Sequence, residues 1–299
     1  MKFHSPGKLL LTSEYVVLAG AEALAVPTQF GQEMEVETTS NQGVIDWTSV
    51  DLQGNTWFTS RIRPEHPDQP KNPEERRLSL LLSHLFKYSN KLDLSKHGYS
   101  VTTRLEFDRD WGLGSSSSLV ALLAKWGEID GIKLLHAAFK GSGYDVAVGI
   151  ESQALVYRLN QGMPGWTKTN WKPKFTDALF FVYLGQKQNS EKEVTQFQSS
   201  EVQSNEIEWF SWVTRSIMEA TELSDFSNLI TQHEERISKI LNRPTIKSVR
   251  FADYPHSIKS LGAWGGDFVL VVGSDRDKDY FRSRGLHTIL DWNEMILSS

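Results

Sequence analysis

The segment from Trp111 to Trp126, WGLGSSSSLVALLAKW, constrains this chain most strongly, because two glycines and four serines stand directly before a block of helix-forming residues. A helix N-terminus carries unpaired N–H donors and about half a positive charge, so it binds a phosphate without a cationic side chain. Glycines let the backbone approach such a ligand, since a Cβ would hold it away. A plain capped turn uses glycine and serine too. The segment alone leaves both interpretations open.

The pattern around this segment predicts an α+β fold. GYSVTTRLEF, just before it, alternates like a strand, so the local order is strand, Gly/Ser loop, helix. The first 60 residues are strand-rich, PEERRLSLLLSHLFKYSNK has helical spacing, and DALFFVYLG resembles a buried strand. Helical patterns cover about 130–140, 206–223 and 226–241, and GSGYDVAVGIESQALVYRL is expected to form a turn and then an extended segment. Strands and helices therefore alternate irregularly.

Length and composition predict two domains in a soluble protein. At 299 residues the chain exceeds the size at which one core keeps growing, and the segment 161–173, QGMPGWTKTNWKP, is the candidate boundary. We expect an N-terminal domain over 1–165 and a C-terminal domain over 166–299. The net charge of −5 disfavours nucleic acid and anionic membranes as partners. No signal-peptide or membrane-spanning stretch is found, so a cytoplasmic location is expected.

Several chemistries are excluded by missing residues or motifs. The chain has no Cys, which excludes disulfides, thiol catalysis and thiolate metal sites. The P-loop pattern GxxxxGK[ST], the protein-kinase HRD and DFG motifs, the GxSxG elbow and the HExxH helix are all absent. The usual nucleotide-hydrolysing and hydrolase machineries are therefore disfavoured.

Four segments, in order from residue 5 to residue 270, resemble the signature motifs of the GHMP kinase superfamily. This superfamily includes galactokinase, homoserine kinase, mevalonate kinase and phosphomevalonate kinase. SPGKLLLTSEYVVLAG is similar to its first motif, GLGSSSSLVALL to its phosphate loop, and LGAWGGDFVL to its C-terminal glycine loop. GSGYDVA is similar to the segment that holds the catalytic Asp, and its spelling is closest to phosphomevalonate kinase.

The resemblance implies a fold, an activity and a set of site residues. The fold has an N-terminal half like the second domain of ribosomal protein S5, a ferredoxin-like C-terminal half, and ATP in the cleft between them. The activity is an ATP- and Mg²⁺-dependent transfer of a phosphoryl group to a small acceptor. The resemblance favours mevalonate or phosphomevalonate as this acceptor, which would place the reaction in isoprenoid precursor synthesis. Lys8 matches the lysine near the transferred phosphoryl group and Asp145 the catalytic base. The positions that match nucleotide-binding residues are Gly112, Leu113, Gly114, Ser115, Ser116, Ser117, Gly265 and Gly266, with Ser116 also the candidate Mg²⁺ ligand.

The substrate-binding residues that the resemblance implies come from four segments. They are Glu14, Gly143, Tyr144, Lys187, Ser190 and Asp267. Two of these segments have a second interpretation: Glu14 is equally suited to a structural pairing with a lysine, and the 187–190 segment to a solvated loop. The partner is a small molecule, and the chain is expected to be a monomer or a homodimer.

Two departures from the family pattern leave other functions open. The segment Gly131–Gly141 lacks the acid that binds magnesium in mevalonate kinases, so either Glu128 or Asp130 reaches the metal, or ATP and serine hold it. Trp264 replaces a glycine of the third loop, where its bulk is expected to fill part of the acceptor pocket or restrict nucleotide approach. A catalytically inactive nucleotide-binding homologue and an enzyme like the diphosphate decarboxylases are the alternatives.

Overall fold

The computed structural model describes residues 1–66, 69–186, 193, 197, 202–262, 264, 265 and 267–298. Three of the predicted site residues, Lys187, Ser190 and Gly266, lie outside these residues. Over the part of the chain that is described, none of the helices combines the length and apolar character needed to cross a membrane.

The chain forms two compact units, each made from separate stretches of sequence. The first unit comprises Met1–Gly7, Phe30–Arg109 and Leu113–Ser152. The second comprises Lys8–Gln29, Asp110–Gly112 and Gln153–Ser299. The predicted domain boundary at 165/166 falls inside a strand of the second unit. As a boundary between family domains it stays a prediction.

The sheet of the first unit has the strand order β4-β3-β5-β2, and β1 also pairs with β2. β3 lies antiparallel to β4 and parallel to β5, while β5 lies antiparallel to β2 over Gln32–Thr39. Buried residues alternate with more exposed ones along the central part of β2 and along β5, as in a sheet with one face on the core. The strands are β1 Lys2–Leu10, β2 Ala23–Thr39, β3 Ile45–Val50, β4 Thr56–Ile62 and β5 Gly98–Leu105.

The described part of the first unit also contains four helices: α1 Pro73–Tyr88, α2 Ser115–Gly127, α3 Gly131–Ala138 and α4 Tyr144–Glu151. α1 begins where local chemistry favours it, because the Asn72 side chain accepts from the Glu75 N–H at 2.8 Å and Pro73 takes the first helical position. Trp126 of α2 is fully buried in the shared core, edge-on to Tyr99 of β5. The predicted helices at α1 and α3 and the predicted helix after the Gly/Ser loop are confirmed.

The expectation of an extended segment after GSGYD is wrong for its first half. Residues 144–151 form α4, and only Ala154–Asn160 is extended. The Val-Ala-Val run is typical of a strand, but Gly143, in the left-handed conformation with φ 88°, begins a helix that buries these residues instead. Gly149 lets α4 approach α2 closely: a Cβ there would lie 2.8 Å from the Ala121 Cβ. Tertiary packing therefore overrides the local strand propensity.

The second unit contains an antiparallel sheet with the strand order β11-β8-β10-β9. β10 is buried throughout and β8 nearly so, as the apolar run DALFFVYLG predicts. In the same unit, the start of β2 pairs with β6, and β6 pairs with β7 along its whole length, so residues 163–169 belong to a sheet. The strands are β6 Ala154–Asn160, β7 Met163–Thr169, β8 Leu179–Tyr183, β9 Ile258–Ser260, β10 Phe268–Val272 and β11 Ile289–Asp291.

The two long helices of the second unit, Ser204–Glu219 and Leu223–Leu241, correspond to the two predicted amphipathic patterns. α6 buries Phe226, Ile230 and Ile237 at helical spacing. The described residues of this unit include the α-helices α5 Ser204–Glu219, α6 Leu223–Leu241, α7 Ile246–Arg250, α8 Lys278–Arg282 and α9 Trp292–Met295, and one of the 3₁₀ turns covers Val16–Ala19. A large mixed sheet, a smaller sheet and helices together confirm the predicted α+β class.

Candidate functional site

The Gly/Ser segment ends in a helix N-terminus without a side-chain cap. Gly114, with φ 90°, stands at the N-cap of α2, and no side chain there accepts from the first-turn N–H groups. Ser117 and Ser118 are buried, and Ser118 donates to Gln32 at 2.8 Å, whereas Ser116 is exposed. An uncapped N-terminus with an exposed serine fits a bound phosphate better than a capped turn does.

Parts of three of the four sequence motifs meet within the second unit. The Lys8 ammonium, buried to 9% exposure, donates to the carbonyl of Gly112 at 3.2 Å. The Asp267 carboxylate lies against the same glycine, since a Cβ on Gly112 would be 2.3 Å from Asp267 Oδ2. Gly262 adjoins that carboxylate as well, with a corresponding distance of 3.4 Å. Residues up to 259 positions apart in sequence are thus brought together, as the resemblance implies.

The space next to the Gly112 Cα is occupied by a side chain of the protein itself, which the sequence does not predict. We expect from the sequence that Gly112 lacks a side chain so that a ligand can approach it, but in this structure the Asp267 carboxylate takes up that space. Asp267 is 5% exposed and has φ 53°, an uncommon conformation for a residue with a side chain. A backbone conformation of this kind, held by its surroundings, is typical of functional sites.

Asp145 lies in the first turn of α4 in the first unit. It is half-buried, and its Oδ1 accepts from the Val146 N–H at 3.0 Å. The N-terminal end of a helix stabilises a carboxylate. The preceding Gly143 is buried at the N-cap, and Tyr144 is half-buried beside it. α4 packs on α2, the helix that carries the serines, so the first unit holds both the predicted base and the serines of the predicted phosphate loop.

Glu14 lies in a buried cluster of charged and polar groups in the second unit. Its carboxylate is 4% exposed and accepts from the Lys259 ammonium, which also donates to the Ser260 carbonyl at 3.0 Å. Burial raises the pKa of Glu14, although the ammonium acts against this shift. The structure therefore places Glu14 in the lysine pairing that was the alternative to substrate binding. Its substrate-binding role stays a prediction.

His233 and Glu234 of α6 complete this cluster, and sequence reasoning missed both. His233 Nε2 accepts from the Ser13 N–H at 2.7 Å, so this nitrogen carries no proton, and burial lowers the pKa of the ring well below its ordinary value. Glu234 accepts from the Ser260 hydroxyl at 2.6 Å, and burial raises its pKa to about 7. The available signal was the spacing of Phe226, Ile230, His233 and Ile237, which puts a histidine on the apolar stripe of α6.

The two acids considered as metal ligands have other roles. Glu128 is the C-cap of α2, at the opposite end of this 13-residue helix from Ser115, and it pairs with Lys91 at 2.5 Å. At ~1.5 Å per residue that separation is about 20 Å. Asp130 caps α3 by accepting from the Ile132 N–H at 2.9 Å. The expectation that either acid reaches a metal at the serine loop is therefore wrong.

Within the described residues, no group of three or more His, Asp or Glu side chains is arranged to hold a metal ion. The remaining expectation is that Mg²⁺ is held by the nucleotide phosphates together with Ser116. Magnesium usually keeps few protein ligands and binds through substrate phosphates, so an exposed serine at the helix N-terminus fits this group.

Trp264 does not project where the sequence predicts. Its side chain is 8% exposed and packs in an apolar cluster of the second unit with Tyr15, Phe210 and Ile237. The expectation that its bulk fills an acceptor pocket is therefore wrong, because the indole is directed into the core.

Comparison with known proteins shows the fold. No protein-family model matches the chain, and no curated protein matches it in sequence. The structure is similar to Methanococcus jannaschii mevalonate kinase, with TM-score 0.70, 16% identity and coverage of 98% of both chains. It is similar to Streptococcus pneumoniae phosphomevalonate kinase in complex with phosphomevalonate and AMPPNP, with TM-score 0.73, 18% identity and coverage of 96% of this chain and 98% of the other.

Lactococcus lactis galactokinase complexed with galactose is a further similar structure, with TM-score 0.68, 12% identity and coverage of 100% of this chain and 93% of the other. These similarities extend over nearly the whole chain. The chain therefore has the two-domain GHMP kinase fold, and the resemblance found in its sequence is confirmed at the level of the fold.

Proposed function

We propose that this protein is an ATP- and Mg²⁺-dependent kinase that phosphorylates a small molecule, with mevalonate or phosphomevalonate as the acceptor. The observation that carries the proposal is the meeting of Lys8, Gly112 and Asp267 in one place, since these residues come from three separate motifs. The GHMP kinase fold supports it independently. The spelling GSGYDVA favours phosphomevalonate over mevalonate.

The nucleotide is assigned to the N-terminus of α2. Backbone N–H groups there, together with Gly114 and the hydroxyls of Ser115 and Ser116, would hold phosphate oxygens. When bound, Mg²⁺ and ATP would supply the phosphoryl group and the metal charge that neutralises its oxygens. Gly265 of the third loop is assigned to the same phosphates; it has φ 82°, and no atom lies within 4 Å of a Cβ built on it.

Lys8 and Asp145 are assigned the two chemical roles. Phosphoryl transfer requires an oriented acceptor oxygen and stabilisation of the charge on the oxygens of the transferred group. A buried ammonium such as Lys8 supplies concentrated positive charge, and its bond to the Gly112 carbonyl fixes its position. Asp145 orients the acceptor and, where the acceptor is a hydroxyl, accepts its proton.

The direct test is ADP production by the purified protein with a panel of acceptors: mevalonate, phosphomevalonate, homoserine and galactose. We expect Mg²⁺-dependent turnover with mevalonate or phosphomevalonate. Binding of AMPPNP without ADP production from any acceptor would favour the inactive homologue. Release of CO₂ would favour the decarboxylase alternative. Turnover with galactose or homoserine alone would refute the proposed acceptor but keep the kinase.

Two matched pairs of variants test the residue roles. Asp145→Asn is expected to lower kcat by about 10²–10⁴ while AMPPNP still binds, because it keeps the size but removes the charge that orients the acceptor and, where the acceptor is a hydroxyl, the group that accepts its proton. Its control is Asp130→Asn, since Asn caps α3 as well as Asp does. Lys8→Met is compared with Lys2→Met, which removes an exposed lysine from the same strand. Undiminished kcat in Asp145→Asn or Lys8→Met would refute the corresponding role.

A further inference from the structure

Trp264 lies near the tip of a hairpin whose base is firmly closed. The hairpin is formed by β9, β10 and the residues that connect them. The described residues of this connection, called the third glycine segment below, are Leu261, Gly262, Trp264, Gly265 and Asp267. At its base the Leu261 N–H donates to the Phe268 carbonyl at 3.0 Å, and the Asp267 N–H donates to the Gln186 carbonyl at 2.8 Å. A glycine-rich connection loses much conformational entropy when it is ordered, so contacts with the rest of the protein must stabilise the residues at its tip.

Two hydrogen bonds hold Trp264 at that tip. Its backbone N–H donates to the Tyr15 hydroxyl at 2.7 Å, and its indole N–H donates to the Pro244 carbonyl at 3.1 Å. The indole is also packed in the apolar cluster already described. Glycine, the residue of the family pattern at this position, has no side chain for the second bond or for the packing.

Tyr15, which accepts the backbone bond, is itself fixed by its surroundings. Its ring lies 5.4 Å from that of Phe197, centre to centre, and its hydroxyl donates to Glu193 Oε2 at 3.3 Å. Glu193 in turn pairs with Arg243 at 2.7 Å, next to Pro244. Burial raises the pKa of the Tyr15 hydroxyl, so it stays protonated and serves as acceptor and donor together. These bonds connect the first motif, the turn after α6 and the third glycine segment.

We propose that Trp264 and Tyr15 are positioning residues that hold the third glycine segment in its ligand-binding conformation before any ligand arrives. The inference rests on the proposed function, in which Gly265 of this segment contacts nucleotide phosphates. Ordering the segment during folding removes that entropy loss from the binding step, so affinity rises without a new contact to the ligand. The contacts of Trp264 thereby keep the third glycine segment ordered in the ligand-free protein.

The first test uses the ligand-free protein and does not depend on its activity. Hydrogen exchange of the Trp264 backbone amide and indole N–H is followed by NMR. We expect both to be protected, and Tyr15→Phe to speed exchange of the backbone amide by about tenfold, since it removes the acceptor of a buried donor. The control is Tyr254→Phe, which deletes a buried bond to the Val272 carbonyl at 2.9 Å in the same unit. Equal exchange in wild type and Tyr15→Phe would overturn the proposal.

The second test measures binding of Mg²⁺ and AMPPNP by calorimetry, with KM and kcat for ATP alongside. Trp264→Gly, which restores the family residue, is expected to weaken binding by about tenfold through a less favourable entropy, and to raise KM more than it lowers kcat. Trp264→Phe keeps the packing and removes only the indole bond, so a loss of a few-fold is expected. A purely structural role would lower the melting temperature of these variants while leaving Kd and KM unchanged, and that result would overturn the proposal.

The two tests also separate this proposal from the proposed function. Failure of the wild-type protein to bind AMPPNP would refute nucleotide binding, and the positioning role with it. Normal AMPPNP binding with unprotected Trp264 N–H groups would refute the positioning role alone.

Discussion

Removing the Lys259 ammonium is expected to destabilise the folded protein strongly at alkaline pH and much less at acid pH. Lys259 is 1% exposed and pairs with Glu14. Its positive charge lowers the pKa of the Glu14 and Glu234 carboxyls, but the opposite effect of burial is larger, so both pKa values are raised. Lys259→Met would leave two buried carboxyls without this cation. Breaking a buried ion pair by removing one partner costs about 3–5 kcal/mol, because the remaining charge is buried and uncompensated.

The pH dependence follows from the same contacts. Burial already raises the pKa of Glu234 to about 7 and that of Glu14 above its ordinary value, so both carboxyls bind protons readily once the ammonium is gone. At pH 5 Glu234 is protonated, and the raised pKa of Glu14 favours its neutral form as well, so the penalty falls towards that of the lost hydrogen bonds, about 1–2 kcal/mol. At pH 8 it should approach the full value.

Urea unfolding followed by tryptophan fluorescence at pH 5 and pH 8 measures both penalties. Lys91→Met serves as the control, since its pair with Glu128 is exposed and contributes at most about 1 kcal/mol. The double variant Lys259→Met/Glu14→Leu should recover a large part of the loss at pH 8. A penalty below about 1 kcal/mol at pH 8, or an equal penalty at both pH values, would refute this account of the cluster.

Three further predictions concern stability and backbone packing. The pKa of Glu234 rises from its ordinary 4.5 to about 7 on folding, so this carboxyl favours the folded state below pH 4.5 and loses that contribution as the pH rises through 7. The stability of wild type minus that of Glu234→Gln, from urea curves, should therefore fall by about 3 kcal/mol across this range, and a flat difference would contradict it. Gly112→Ala places a methyl 2.3 Å from Asp267 Oδ2, so it should abolish activity and lower the melting temperature. The effect should exceed that of Gly265→Ala, where only the φ of 82° opposes a side chain. Equal effects in the two variants would show that the Asp267 carboxylate is not held against Gly112. Gly149→Ala should lower stability by about 1–3 kcal/mol, since its methyl would lie 2.8 Å from a side chain of α2, and an unchanged urea midpoint would contradict that close contact.

Local patterns were sufficient for much of the fold. The apolar spacing of α1, the apolar run of β8 and the glycines before α2 each act over a few residues, through burial and backbone sterics. For the candidate site, the motifs predict roles for Lys8 and Asp145, and these roles stay predictions. The same local rules failed at α4, where a Val-Ala-Val run indicates a strand.

Only the tertiary structure decided which distant groups meet. Glu14 and Lys259 are 245 residues apart in sequence, and no periodicity connects them. Nor does the sequence reveal that Asp267 lies against Gly112, or that Trp264 turns into the core. The sequence by itself determined the α+β class and most of its elements, since these depend on neighbours along the chain. The partners of the buried charges depend on how elements pack, because the energy of a charge is set by whatever surrounds it in space.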